Sequence, residues 1–158
     1  MSENYVCMLR ESLEKKIEVL EAIQVANETQ RNVLSDPMSL PEDLEATYAR
    51  KDELIEALEA LDRGFEIMYS RVRSELNNNK DKYADEIKKM QSLISKISDL
   101  SASIQAAELR NKSLAEAKFS KLKGQLKQVK KNRTAVNSYY KSSANINTLD
   151  PQFLDSKN

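Results

Sequence analysis

The sequence predicts an all-α fold, an antiparallel three-helix hairpin bundle of coiled-coil character whose long third helix overhangs the other two. Three observations predict it. Two Gly and three Pro in 158 residues leave little material for the tight turns that a sheet requires. Charged residues make up 32% of the chain, above the roughly 25% of an average soluble domain. Apolar residues recur at spacings of three and four, the helical period, and only LSDPMSLPED at 34–43 and NNN at 77–79 clearly interrupt them.

The first helix is expected over about 4–35. Leu9, Leu13, Ile17, Leu20, Ile23, Asn27, Gln30 and Leu34 form one stripe of an amphipathic helix, apolar at first and polar at Asn27 and Gln30. Asp36 precedes Pro37 and is pushed out of helical geometry, so the helix stops there. Ser39 and Glu42 have capping-box spacing, and Pro41 suits a first turn, where its missing N–H costs nothing. A second helix over about 40–77 follows. Its stripe is Leu44, Tyr48, Lys51, Ile55, Leu58, Leu61, Phe65, Met68, Val72 and Leu76. Gly64 lies inside it at a cost of about 1 kcal/mol relative to Ala, which points to close packing there.

The third helix is expected over about 80–140, on the ladder Tyr83, Ile87, Met90, Ile94, Ile97, Ile104 and Leu114, with Gly124 and Asn132 as weak points, and it either stays straight or folds back at Gly124. Residues 1–141 thus make the bundle, and 142–158 a Ser/Asn-rich tail holding Leu149, Phe153 and Leu154. Short connections force neighbouring helices to reverse direction.

Several classes of function are set aside by composition. Histidine is absent, which removes the usual general base and the commonest metal ligand. Cys7 is the single cysteine, so neither an internal disulfide nor a thiolate metal cluster can form. There is no Gly-rich phosphate loop, and no enzyme or cofactor is expected. The N-terminus lacks the pattern of a signal peptide, and no apolar run approaches the ~18 residues of a membrane span. The expectation is a cytoplasmic protein. Carboxylate pairs such as Glu11/Glu14, Glu42/Glu45 and Glu53/Glu56 recur on polar helix faces and are read as solvated. Arg110 and Asn111 stand where a bundle stripe would be apolar. Either Asn111 is a buried register-fixing residue or the helix face rotates there.

Helix lengths give the sequence its functional content. At 1.5 Å per residue the third helix is about 90 Å long against 50–55 Å for its neighbours. Everything beyond about Ala115 should then project past the bundle. Phe119, Leu122, Leu126, Val129, Val136 and Tyr140 form an apolar candidate partner-binding strip with no partner inside the chain, as interaction sites often are. Truncation after Ala115 should leave a folded bundle. Charge is segregated in the same way. Residues 1–109 carry 14 basic and 22 acidic residues, whereas 110–141 carry ten basic and one acidic, in a chain of net charge zero. The strip reads as a groove for a partner helix with a basic rim, as the seam of a structural coiled-coil homodimer, or as a nucleic-acid contact. The last is disfavoured because the base-stacking and groove-reading modules are missing.

MLRESLEKKIEVLEAIQVANETQRNVL, a Pro-containing loop, YARKDELIEALEALDRGFE and a long third helix through ELRNKSLAEAKF, with the terminal PQFLDSKN, resemble the flagellar export chaperones of the FlgN/FliT type in their Gram-positive version. The resemblance implies a cytoplasmic chaperone without ATPase activity. Its client would be the C-terminal helical segment of a late flagellar substrate, a hook-associated or filament-cap protein, delivered to the export apparatus. The family's binding region maps by position onto Asn111, Leu114, Phe119, Leu122, Leu126 and Val129. The basic content of 110–141 departs from the family pattern. In mechanism, an amphipathic client segment would pack on the strip, and the basic rim would speed encounter with an acidic client face.

Overall fold

The computed structural model describes residues 2–130, all-α as expected, with helices α1 (Ser2–Ser35), α2 (Pro41–Asn78) and α3 (Ala84–Lys130). The first two lie within two residues of the sequence expectation. Both connections are short, so α2 reverses on α1 and α3 reverses on α2.

The loop after α1 is built by side chains with short reach. The Asp36 carboxylate accepts a hydrogen bond from the Met38 N–H at 2.8 Å, which turns the chain immediately before Pro37 and Met38. The expected capping box is displaced by one residue. Leu40 is the N-cap, and its N–H donates to the Asp43 carboxylate at 2.9 Å, so Asp43 performs the role read for Glu42. The Ser39 hydroxyl turns back instead, to the carbonyls of Val33 and Asp36 at 2.7 and 2.9 Å. It thereby satisfies acceptors that the end of α1 leaves open. Pro41 occupies the first turn of α2 as read.

The second connection corrects the start of the third helix from 80 to 84. The Asn79 side chain donates to the Glu75 carbonyl at 2.9 Å, closing the end of α2. Residues 80–83 form a turn, held by the Tyr83 N–H on the Asn79 carbonyl at 3.2 Å.

α1 is the spine. Its neighbours α2 and α3 both pack along its length and meet each other far less. The register of α3 on α1 is parallel. Arg10 pairs with Glu86 at 2.8 Å, Gln24 reaches Ser103 at 3.2 Å, Arg110 pairs with Glu28 at 3.2 Å, and Lys118 meets the end of α1. α2 runs antiparallel to α1, as Lys16 pairs with Asp62 at 2.7 Å. The apolar interior divides in two. A large cluster from Val6 to Ile23 on α1, with Leu54, Val72 and Leu76 on α2 and Tyr83, Met90 and Ile97 nearby on α3, fills most of the length. A small one joins Leu34, Leu44, Tyr48, Ala115 and Phe119.

Gly64 does not mark a close approach. A Cβ there would meet nothing within 4 Å, and the same holds for Gly124. α3 passes through Gly124 without breaking and remains helical to Lys130, so no fold-back occurs at that residue. No described helix is long and apolar enough to cross a membrane.

Candidate functional site

The polar residues that interrupt the three stripes converge. Asn27 and Gln30 from α1, Thr47 and Lys51 from α2 and Asn111 from α3 are all buried, and together they form a layer between the two apolar clusters. The Lys51 ammonium, fully buried, lies 2.6 and 2.7 Å from the two oxygens of Glu108 and donates to the Gln30 side-chain oxygen at 3.2 Å. Gln30 in turn donates to Thr47 at 3.1 Å. The Asn111 amide donates to the Asn27 carbonyl at 3.0 Å and to the Gln30 side-chain oxygen at 3.1 Å. Asn111 is therefore a buried register-fixing residue, and the rotated-face reading is set aside. Below the layer, burial pushes the Tyr48 phenol up to about 12, with the Glu108 carboxylate adding to the shift.

This arrangement corrects the overhang. Ala115 and Phe119 are buried in the small cluster, and Leu114 and Leu122 pack against it. Lys118 donates to the Val33 and Asp36 carbonyls at 3.4 and 3.0 Å and to the Ser39 hydroxyl at 2.5 Å, fastening α3 to the α1–α2 loop. Asn111, Leu114, Phe119 and Leu122 thus have partners within the chain. The physical reason is register. The turn at 80–83 delays the start of α3, and the loop at 36–40 adds cover beyond α1. Gln125 still lines a hollow with Leu34, Ser35, Asp36 and Pro37, so the described overhang is only the last five residues of α3, about 8 Å of rise, and includes the half-buried Leu126. α3 ends its described course at Lys130 with Val129 in its last turn, while Val136 and Tyr140 lie outside the described residues. Truncation after Ala115 would remove Phe119 and Lys118 and so damage the bundle.

Unfilled apolar surface lies elsewhere. At the end of the bundle next to the α2–α3 turn, α2 and α3 part over α1 and leave a groove of about 450 Å³. Its floor is Leu9. Phe65, Tyr69 and Leu76 form one wall, and Ile87, Met90 and Ile94 the other. A smaller hollow of about 220 Å³ continues it past Leu13, Leu61 and Ile97. Phe65 and Tyr69 stack with ring centroids 6.0 Å apart. Ile94 is 51% exposed and Tyr69 41%, so the walls present large apolar groups to water. Fourteen residues of α3, from Ala84 to Ile97, correspond to about 20 Å of groove, room for three to four turns of a helix. The α3 residues of this groove read in the sequence as ordinary core. The signal that could have found them is width. Leu93 and Ile94 are adjacent, and both belong to apolar ladders, more surface than one neighbouring helix covers.

Among the described residues no group of acidic or cysteine side chains could hold a metal ion. Glu14 and Glu53, from the carboxylate pairs, are 47% and 71% exposed and pair with Arg10 and Arg50 on their own helices. Comparison with known protein families, with curated proteins and with solved structures returned no match.

Proposed function

We propose that the chain is a cytoplasmic export chaperone that holds an amphipathic helical segment of a partner in the α2–α3 groove. In keeping with the resemblance of its sequence, the client is the C-terminal segment of a hook-associated or filament-cap protein, kept from premature assembly. The observation that supports this reading most is the open groove itself, with three anchors on each side and its floor on α1. A client helix laid there would complete a four-helix layer, and each fully buried anchor would contribute about 1.5–3 kcal/mol. The described end of α3, basic from Lys118 to Lys130, would serve encounter with an acidic client face more than final affinity.

The test is titration of the protein with peptides from the C-termini of flagellar axial proteins. Ile94→Glu, at an exposed position, should leave helicity and thermal stability close to wild type and weaken binding at least tenfold. A truncation after Gln125 should keep most of the affinity. Equal binding by wild type and Ile94→Glu would remove the groove as the site, and no binding to any axial-protein peptide would remove the flagellar reading.

A further inference from the structure

The Ser/Asn-rich tail, which lies outside the described residues, carries three large apolar side chains, Leu149, Phe153 and Leu154, for which the client reading has no use. It also carries charge of one particular sign. Over 117–158 the chain has nine basic residues and only two acidic ones, Asp150 and Asp155, and both acids lie within the apolar segment LDPQFLD at 149–155. An apolar segment with two negative charges calls for an apolar surface with positive ones.

Such a surface lies where α3 passes the end of α1. Leu114, Lys118, Lys121 and Leu122 share one face of α3 and line an open hollow of about 280 Å³, whose other side is Leu34, Asp36 and Pro37. Leu34 belongs to the small apolar cluster, while Leu114 and Leu122 pack against it and remain only half-buried. The charged lining is two lysines and one aspartate. The Asp36 carboxylate is taken up by the Met38 N–H of its own loop. Lys118 donates to two carbonyls and a hydroxyl, all neutral acceptors, and Lys121 is exposed. Neither ammonium is paired with a carboxylate of the described residues.

The connection is long enough to bring the two together. Eighteen residues, 131–148, separate Lys130 from Leu149 and can span up to about 60 Å. Lys121 lies only about 14 Å back along α3 from Lys130. A tether of this length gives a contact within one chain a high effective concentration. The other grooves fit the segment less well. The α1–α2 groove is lined by one aspartate and one arginine, which leaves no excess of positive charge. Ile94 in the α2–α3 groove lies about 40 Å from Lys121 along α3.

We propose that residues 149–155 dock on their own chain in this hollow, with Phe153 and Leu154 on Leu34, Leu114 and Leu122, and with Asp150 and Asp155 facing Lys118 and Lys121. The docked segment completes the small apolar cluster from outside. It touches no residue of the α2–α3 groove and is independent of the client reading.

Paramagnetic broadening in the full chain tests it without any client. A nitroxide is placed at Ser156→Cys in a Cys7→Ser background, so that it is the single label. Amides of 34–37 and 114–125 should broaden, while those of 84–97 stay sharp. A mixture of labelled chain without nitrogen-15 and unlabelled chain with it should show no broadening, because the contact is within one molecule. Phe153→Ser should weaken docking roughly tenfold or more, read as loss of the broadening at unchanged helicity by circular dichroism. Lys121→Glu, at an exposed position, should weaken it about two- to fivefold. Absence of broadening overturns the proposal, as does broadening centred on the lining of either other groove. So does broadening that persists in the mixture, which a second copy's tail would give. Broadening near the end of α3 that Phe153→Ser leaves in place overturns it as well, since mere proximity would give that.

Discussion

Between Ala84 and Ile97, α3 forms one wall of an open groove. Between Glu108 and Leu122, the same helix closes onto α1 and α2. The two stretches share amphipathic character but differ in what they bury. The first buries only apolar side chains, whose attraction is non-directional and roughly proportional to area. Such packing tolerates helices that part. The second buries hydrogen bonds and an ion pair, and these are satisfied over a narrow range of distance and angle. Lys51, Glu108, Gln30 and Asn111 therefore hold the three helices at one separation. A polar layer makes the closed end, and its absence permits the open one.

The closed end is broken most strongly from its apolar side. Phe119→Ala should cost about 3–5 kcal/mol, read as a lower urea midpoint. Amide exchange should accelerate first in residues 108–122 while Ala84–Ile97 keeps its protection. Next is Glu108→Ala, which leaves the fully buried Lys51 ammonium without its counter-charge. Losing one partner of a buried pair costs roughly 3–5 kcal/mol, and the partial exposure of Glu108 (26%) brings the expected loss to about 2–3 kcal/mol. The double variant Lys51→Met, Glu108→Ala should recover most of it, because a well-packed apolar pair replaces a desolvated ionic one. If the double variant is as weak as the single one, the ion pair is not the element that matters.

Asn111→Ala is a milder change, about 1–2 kcal/mol, from losing its two donated bonds, to Gln30 and to the Asn27 carbonyl, in a buried layer. Equilibrium unfolding checks the magnitude. The smallest effect, none at neutral pH, concerns Tyr48. Its phenol is raised from 10.0 to about 12, so the folded state favours the neutral form. That contribution is complete below pH 10 and is lost as pH rises through 12. Stability should fall across that window in the wild type and less in Tyr48→Phe. Absorbance near 295 nm should show Tyr48 as a late-titrating phenol.

The periods of three and four placed all three helices, because they report burial of a continuous face. They also contained the polar layer. Asn27, Gln30 and Lys51 stood in otherwise apolar ladders, and Asn111 stood where the third ladder should have been apolar. What sequence spacing could not give was relative register between helices. A four-residue delay at the start of α3, produced by the Asn79 and Tyr83 turn, together with the cover that the 36–40 loop adds beyond α1, moved the end of the covered stretch from Ala115 to about Gln125. That shift placed Phe119 inside the bundle. The α2–α3 groove was hidden for a related reason. A ladder such as Ile87, Met90 and Ile94 is the same in sequence whether the facing helix touches it or stands away.

The fastening of Lys118 to the α1–α2 loop has a consequence for the order in which the chain acquires its shape. The carbonyls of Val33 and Asp36 are synthesised early, whereas the ammonium that binds them follows more than eighty residues later. At translation speeds of roughly 5–20 residues per second, those carbonyls wait on the order of 4–16 s for that contact, and the α1–α2 hairpin, complete at Asn78, waits about 2–8 s. During the wait the side of α1 that α3 will cover, with Asn27 and the buried end of Gln30, stands open on the ribosome. The nascent hairpin is itself an unassembled subunit, and α3 from Glu108 to Leu122 is the segment that shields it.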